Sequence, residues 1–274
     1  IPTKVSSDQW IDVSCGRNFS HAIKSDGSLW ACGANYLGDF GNGVASALAV
    51  PSLTRIGNKL WKKVITSQHS VFGIQQDGSL WAWGLNAYGQ LGLGTTGSAV
   101  LSPTRIGNDT WLTVSTGSFK QSTTSGDYNN FSMGIKSDGT LWAWGDNRFG
   151  NFGNGTITKS TIPVKIGNDR WIDVKCITFG TNGSTVIALK EDSTLWAWGS
   201  NYNGALGIGN TNTSLIQKTP IQIPGYWKAI SALMAIKYNV TPAPTPTPTP
   251  SSAPNSCTLL CSPADIASRY GLSS

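Results

Sequence analysis

His21 and His69 are the two histidines of this 274-residue chain and its best candidates for metal or general-base chemistry. They do not occupy one repeat offset: counted back from the aligned Ala22 and Gly73 they stand one and four residues away. Two such residues, with no Cys-x-x-Cys pair or aspartate cluster beside them, do not compose a zinc site. Aspartates recur at Asp26, Asp77, Asp138 and Asp192, always at a turn. A carboxylate pair doing acid–base work has no reason to recur with the fold. Glycine-rich stretches mimic phosphate loops in composition, but none opens a helix or ends in Gly-Lys-Ser/Thr. The expectation is a chain without catalysis, metal or cofactor.

The elements that position these residues repeat. Trp10, Trp61, Trp111, Trp171 and Trp227 open successive units, and Trp30, Trp81, Trp142 and Trp196 recur inside four of them. Each inner tryptophan sits in a Leu-Trp-Ala-Cys/Trp-Gly run, completed by Trp83, Trp144 and Trp198 in three units and by Cys32 in the first. Self-similarity at a period of about 50 residues decides the architecture before any local reading does. Asp26-Gly27, Asp77-Gly78, Asp138-Gly139 and the degenerate Asp192-Ser193 lie between alternating apolar runs, the signature of a tight hairpin. A glycine lattice follows, Gly33-x-Asn35-x-x-Gly38-x-x-Gly41-x-Gly43, with copies beginning at Gly84, Gly145 and Gly199. Three or four short strands per unit predict a blade of an all-β propeller, its tryptophans committed to packing between blades.

The run Leu-Trp-Ala-Trp-Gly-x-Asn-x-x-Gly-x-x-Gly-x-Gly resembles the repeat of the regulator-of-chromosome-condensation family, over roughly residues 2–239. That resemblance implies a propeller, usually of seven blades. It also implies, as a third-ranked function, nucleotide exchange on a small GTPase bound to chromatin. Five blades, a proline-threonine linker and the lack of a basic tail depart from that role. Pro2-Thr3-Lys4-Val5 precedes Trp10 as Pro103-Thr104-Arg105-Ile106 precedes Trp111, so the start of the chain reads as a blade's final strand. Joined to the segments at Trp227 and Ala235, it would close a five-bladed ring over residues 1–239 and remove its open edges. The joined blade lacks a Leu-Trp-Ala-Trp-Gly strand, so it has three strands or takes the fourth from another chain or segment.

Composition bounds the rest. The net charge is +6, yet Lys4, Arg55, Arg105 and Lys165 recur at one offset rather than forming a basic run, and no nucleic-acid partner is expected. No apolar run suggests membrane insertion. Residues 240–256 form a Pro/Thr-rich linker of the kind that separates modules of secreted proteins. Residues 257–274 predict a short helix from Ser262-Pro263 to Gly271, with Cys257 and Cys261 close enough to pair. Its Ala-Asp-Ile-Ala-Ser-Arg-Tyr-Gly-Leu-Ser is similar to the first helix of LysM modules; a docking or sorting tag is the other reading. Cys15 and Cys176 share an offset and would approach in a closed ring, while Cys32 reads as a small buried hydrophobe. Asn18, Asn108, Asn130, Asn154, Asn182, Asn212 and Asn239 are glycosylation sequons. An extracellular or cell-surface location follows as an expectation.

Extra length localises the variable surface. It falls between the first two strands of the third and fourth units, giving loops at about Ser118–Phe131 and Phe179–Ser184. Aromatic and polar residues on a rigid scaffold are where binding resides. The candidate contact residues are Phe119, Lys120, Tyr128, Phe131 and Asn182, for a protein or glycan partner or other copies of the chain. The favoured function is a non-catalytic binding or scaffold module. A structural subunit that exchanges strands between protomers is the alternative.

Overall fold

The computed structural model describes residues 4, 6–120, 128–179, 183–209, 212, 214–231 and 234–237. These belong to one compact unit, Ile1–Tyr238; a second, Asn239–Ser274, lies outside the described residues, with the linker, the predicted helix and the Cys257–Cys261 pair. The strands are β1 (Trp10–Cys15), β2 (Phe19–Lys24), β3 (Ser28–Asn35), β4 (Ser46–Thr66), β5 (Ser70–Gln75), β6 (Ser79–Asn86), β7 (Gly97–Lys120), β8 (Tyr128–Lys136), β9 (Thr140–Gly145), β10 (Ser160–Thr178), β11 (Ser184–Lys190), β12 (Leu195–Ser200), β13 (Ile216–Ile223), β14 (Trp227–Ser231) and β15 (Met234–Lys237). β1 to β13 pair antiparallel in sequence order, and β14 pairs with β15.

β4, β7 and β10 each serve two blades. β4 lies against β3 at Trp30↔Arg55, then against β5 at Trp61↔Gln75. Between the two pairings stands Gly57 at φ +58°, a left-handed turn of backbone that glycine adopts without steric cost. Among the described residues this pattern gives four four-stranded blades and the first hairpin of a fifth. Their cores lie between blades, not within them. Phe19, Leu29, Phe40 and Ile56 of blade 1 pack against Trp61, Val64, Val71 and Trp83 of blade 2. Blades 2 and 3, and then 3 and 4, repeat the arrangement. Sheets stacked face to face in series make an all-β propeller.

The first strands converge. Asp12 Oδ2 accepts from the Val64 amide at 2.8 Å, and Ser14 Oγ accepts from the Thr66 amide at 3.0 Å. Ser115 Oγ accepts from the Cys176 amide at 2.9 Å. Each first strand has one unpaired edge, and a neighbour's side chain satisfies part of it. Lys63 Nζ donates to Thr113 Oγ1 at 2.9 Å. Burial first, then the charge of Lys175 two blades away, lowers the Lys63 pKa.

Two expectations change. Cys15 and Cys176 are separate thiols: Cys15 is exposed on blade 1, whereas Cys176 sits between blades 3 and 4, where burial pushes its thiol up to about 12. Cys32 is half-buried rather than fully buried. The expected closing strand, Pro2–Val5, lies outside the described residues except for Lys4. Val13 is 67% exposed, where its counterparts Val64, Val114 and Val174 are 3%, 4% and 0% exposed.

Candidate interaction surface

The tryptophans divide into layers that sequence alone treats as one. Trp61, Trp111 and Trp171 open blades and are buried, and Trp83, Trp144 and Trp198 are fully buried. Trp30, Trp81, Trp142 and Trp196 are half-buried at the rim, and Trp81, Trp142 and Trp196 pack against the clusters between blades. A relay orients each rim indole. Trp30 Nε1 donates to Ser28 Oγ at 2.9 Å, and Ser28 Oγ donates to Asp26 Oδ1 at 2.6 Å. Asp77-Ser79-Trp81, Asp138-Thr140-Trp142 and Asp192-Thr194-Trp196 repeat it. The hydroxyl bond, then the backbone amide, holds Asp26, Asp77 and Asp138 below the ordinary carboxylate range. These aspartates therefore organise rim indoles as well as turns. The turn also docks the next blade: the amides of Trp61, Trp111 and Trp171 donate to Gly27, Gly78 and Gly139 carbonyls at 2.8 Å.

A lysine covers every rim indole. Lys24, Lys136 and Lys190 place Nζ 4.0, 3.4 and 3.9 Å from the ring centres of Trp30, Trp142 and Trp196. Each is also ion-paired, to Asp8, Asp109 and Asp169 respectively. Blade 2 carries Gln75 at the lysine position and Lys59 at the aspartate position, and Lys59 Nζ lies 4.0 Å from the Trp81 ring. The cation has moved to the other strand while the contact persists. Grooves of about 340 and 480 Å³ open beside Trp142 and Trp30, but the chain's own ammonium already lies against each ring. The rim is therefore structural in character. Lys136→Met should lower stability by about 1–2 kcal/mol, read from urea midpoints; a change below about 0.3 kcal/mol would show that the contact contributes nothing measurable.

The third-blade segment expected as a loop is a hairpin. β7 and β8 remain paired out to Phe119↔Asn129 and Lys120↔Tyr128. β7 ends nine residues past Trp111, whereas β1 ends five past Trp10. Four more residues carry the strand about 13 Å further. Both flanks of its base are clamped. Ser118 donates its amide to Thr178 Oγ1 of blade 4 at 3.0 Å, and Asn130 Nδ2 donates to Ser67 and Ser70 hydroxyls of blade 2 at 3.3 Å.

The candidate residues separate accordingly. Phe119, Lys120 and Tyr128 are on the projecting hairpin, while residues 121–127 and Asn182 lie outside the described set. Phe131 is 0% exposed, its ring against Gly117, and is removed from the contact set. Strand alternation turns it inward, which a loop reading could not foresee. Asn130 is 1% exposed, and its engaged amide cannot accept a glycan in the folded chain. Asn18, Asn108, Asn154 and Asn212 are exposed; Asn239 is outside the described residues.

The histidines share a neighbour although their offsets differ. His69 Nδ1 lies 3.0 Å from Asp39 Oδ1, and both histidine rings pack on Phe19, at 5.5 Å for His21 and 6.5 Å for His69. Asp39 and His21 are fully buried. Among the described residues no three His, Cys, Asp or Glu side chains stand together as a metal site.

Family models described as "Regulator of chromosome condensation (RCC1) repeat" match residues 10–39, 77–119, 138–186 and 192–232. The chain is 28% identical over 215 residues to "Ultraviolet-B receptor UVR8" of Arabidopsis thaliana, covering 77% of this chain and 46% of that protein. It is 26% identical over 196 residues to "E3 ubiquitin-protein ligase HERC2" of Mus musculus, covering 70% of this chain and 4% of that protein. It thus spans less than half the length of these relatives. The solved structure of Prp20p from Saccharomyces cerevisiae, described with its binding to Gsp1p and histones, superposes with a TM-score of 0.65 at 18% identity, over 82% of this chain and 52% of that one. Human WBSCR16 superposes at 0.62 with 21% identity, over 78% of this chain and 52% of that one.

Proposed function

The chain belongs to the family of regulator-of-chromosome-condensation (RCC1) repeat proteins, and from that premise we propose that it is a non-catalytic protein-binding module acting outside the cell or on its surface. The observation carrying this reading is the third-blade hairpin, which projects past its counterparts while its base is bonded to blades on both sides. A projecting element held by a rigid scaffold meets a partner with little ordering cost. Prp20p, of the same fold, is described as binding Gsp1p and histones, and a protein partner suits this chain too. The Pro/Thr-rich segment after the propeller supports the extracellular part of the proposal.

The test replaces residues 120–128 by Asn-Gly, which closes a two-residue turn on the paired Phe119 and Asn129. The shortened chain should melt within a few degrees of the parent, because Asn130 and Phe131 are retained. A partner identified by cross-linking to the parent should bind it at least about ten-fold more weakly, a loss of about 1.4 kcal/mol. Undiminished binding by a folded, shortened chain would place the contact surface elsewhere.

A further inference from the structure

Each joint between blades carries one polar pair at an equivalent position. An indole of the following blade enters a glycine-lined slot of the preceding one: a Cβ at Gly41, Gly92 or Gly153 would come within 2.8, 2.9 and 2.9 Å of the rings of Trp83, Trp144 and Trp198. Each ring donates Nε1–H to the carbonyl two residues before the glycine, those of Asp39, Gln90 and Asn151. Across the joint, a Cβ at Gly84, Gly145 or Gly199 would meet the carbonyl of His69, Asn130 or Ser184 first. Asp39 therefore corresponds to Gln90 and Asn151, and His69 to Asn130 and Ser184. All six residues are buried.

The joint between blades 1 and 2 closes directly. Asp39 Oδ2 accepts from the Leu37 amide at 3.2 Å, and Asp39 Oδ1 meets His69 Nδ1 at 3.0 Å. Between blades 2 and 3 the same two positions make no such bond. Gln90 Oε1 accepts from the Tyr88 amide at 2.7 Å, which commits that end of its side chain. Asn130 Nδ2 donates to the Ser67 and Ser70 hydroxyls, which donate onward to the Ser70 and Leu85 carbonyls. Neither amide can be flipped without losing these bonds. What remains is one donor, Gln90 Nε2, and one acceptor, Asn130 Oδ1, 0% and 1% exposed and without a hydrogen-bond partner. Ser118 lies directly opposite Asn130, hence on the same face, and its Oγ is unbonded too.

Buried polar groups in folded proteins are bonded to protein or to ordered water. We propose that the joint between blades 2 and 3 binds one water molecule as an integral part of the fold, held by Gln90 Nε2, Asn130 Oδ1 and Ser118 Oγ. The water accepts from the Gln90 amide and donates to the Asn130 carbonyl and the Ser118 hydroxyl, matching the roughly three bonds that buried waters make. The shortfall recurs between blades 3 and 4, where Asn151 Nδ2 and Oδ1 and Ser184 Oγ are unbonded. A serine hydroxyl is one bond, about 1.5 Å, shorter than the imidazole nitrogen of His69. The first joint is thus direct and ionisable, and the second hydrated and neutral. This inference goes beyond the hairpin reading and concerns how blades are joined, so it stands or falls whatever the hairpin binds.

The experiment is a crystal structure of the whole chain at a resolution that shows ordered solvent. One solvent peak should lie within about 3.2 Å of both Gln90 Nε2 and Asn130 Oδ1. Magnetic relaxation dispersion of water then compares the parent with a Gln90→Asp, Asn130→His double variant, which copies the pair that closes directly. The variant should hold one long-lived water fewer than the parent. A direct Gln90–Asn130 bond in the crystal, or no solvent peak between them, overturns the proposal. So does an unchanged water count in a folded double variant. If the variant does not fold, the parent crystal decides alone.

Discussion

Trp144→Ala should destabilise the folded chain by about 3–5 kcal/mol, which for a domain of this size lowers the melting temperature by roughly 10 °C. The indole is fully buried, with Trp111 and Phe72 ring centres at 5.6 and 5.8 Å. Its Nε1 satisfies the Gln90 carbonyl of the preceding blade at 3.0 Å. Truncation opens a cavity between two blades and leaves that carbonyl without its indole donor. Trp142→Ala is the matched control two residues away. That ring is half-buried at the edge of the cluster between blades 2 and 3, and its loss removes the Lys136 and Thr140 contacts and only part of that packing, worth on the order of 1–2 kcal/mol. Urea midpoints of both variants measure the difference. Equal losses would mean that the core does not lie between blades.

Between about pH 6.5 and 4, acid should weaken the domain through His21. His21 is fully buried, and desolvation lowers its pKa from 6.5 to about 4, against smaller opposing effects of the Phe40 carbonyl and Asp39 charge. The unfolded chain therefore binds a proton below about pH 6.5 that the folded chain refuses until about pH 4. The contribution to stability is complete above the higher value, falls as pH drops through the window, and is constant below it. Its size is on the order of 3 kcal/mol. Phe72 occupies the equivalent register position in blade 2, opposite Ala82 as His21 is opposite Ala31. His21→Phe should accordingly keep the fold and flatten this part of the pH dependence. Asp39 and His69 remain in the variant, so the difference between parent and variant isolates His21. Parallel stability curves between pH 7 and pH 4 would refute the assignment.

The sequence by itself determined the repeat, its strands and its turns. These features are local: Asp-Gly sets a hairpin whatever it packs against, and a glycine lattice demands left-handed backbone in every copy. Even the degenerate turn held, with Ser193 taking φ +67° in the glycine's place. Spacing could also have revealed the Asp-x-Ser/Thr-x-Trp relay, whose members are two residues apart within one turn. Which side of each element meets a neighbour was decided only by tertiary structure. Trp142 and Trp144 differ by two positions in one strand, yet one lies at the rim and the other in the core, because only the second reaches the preceding blade's slot. Phe131 and Lys120 share one expected loop, yet pairing through Lys120↔Tyr128 made it a hairpin and buried Phe131. His69 and Asp39 lie thirty residues apart in different blades and met because those blades stack. Contacts between blades depend on the relative placement of whole repeats, and no local spacing encodes that placement.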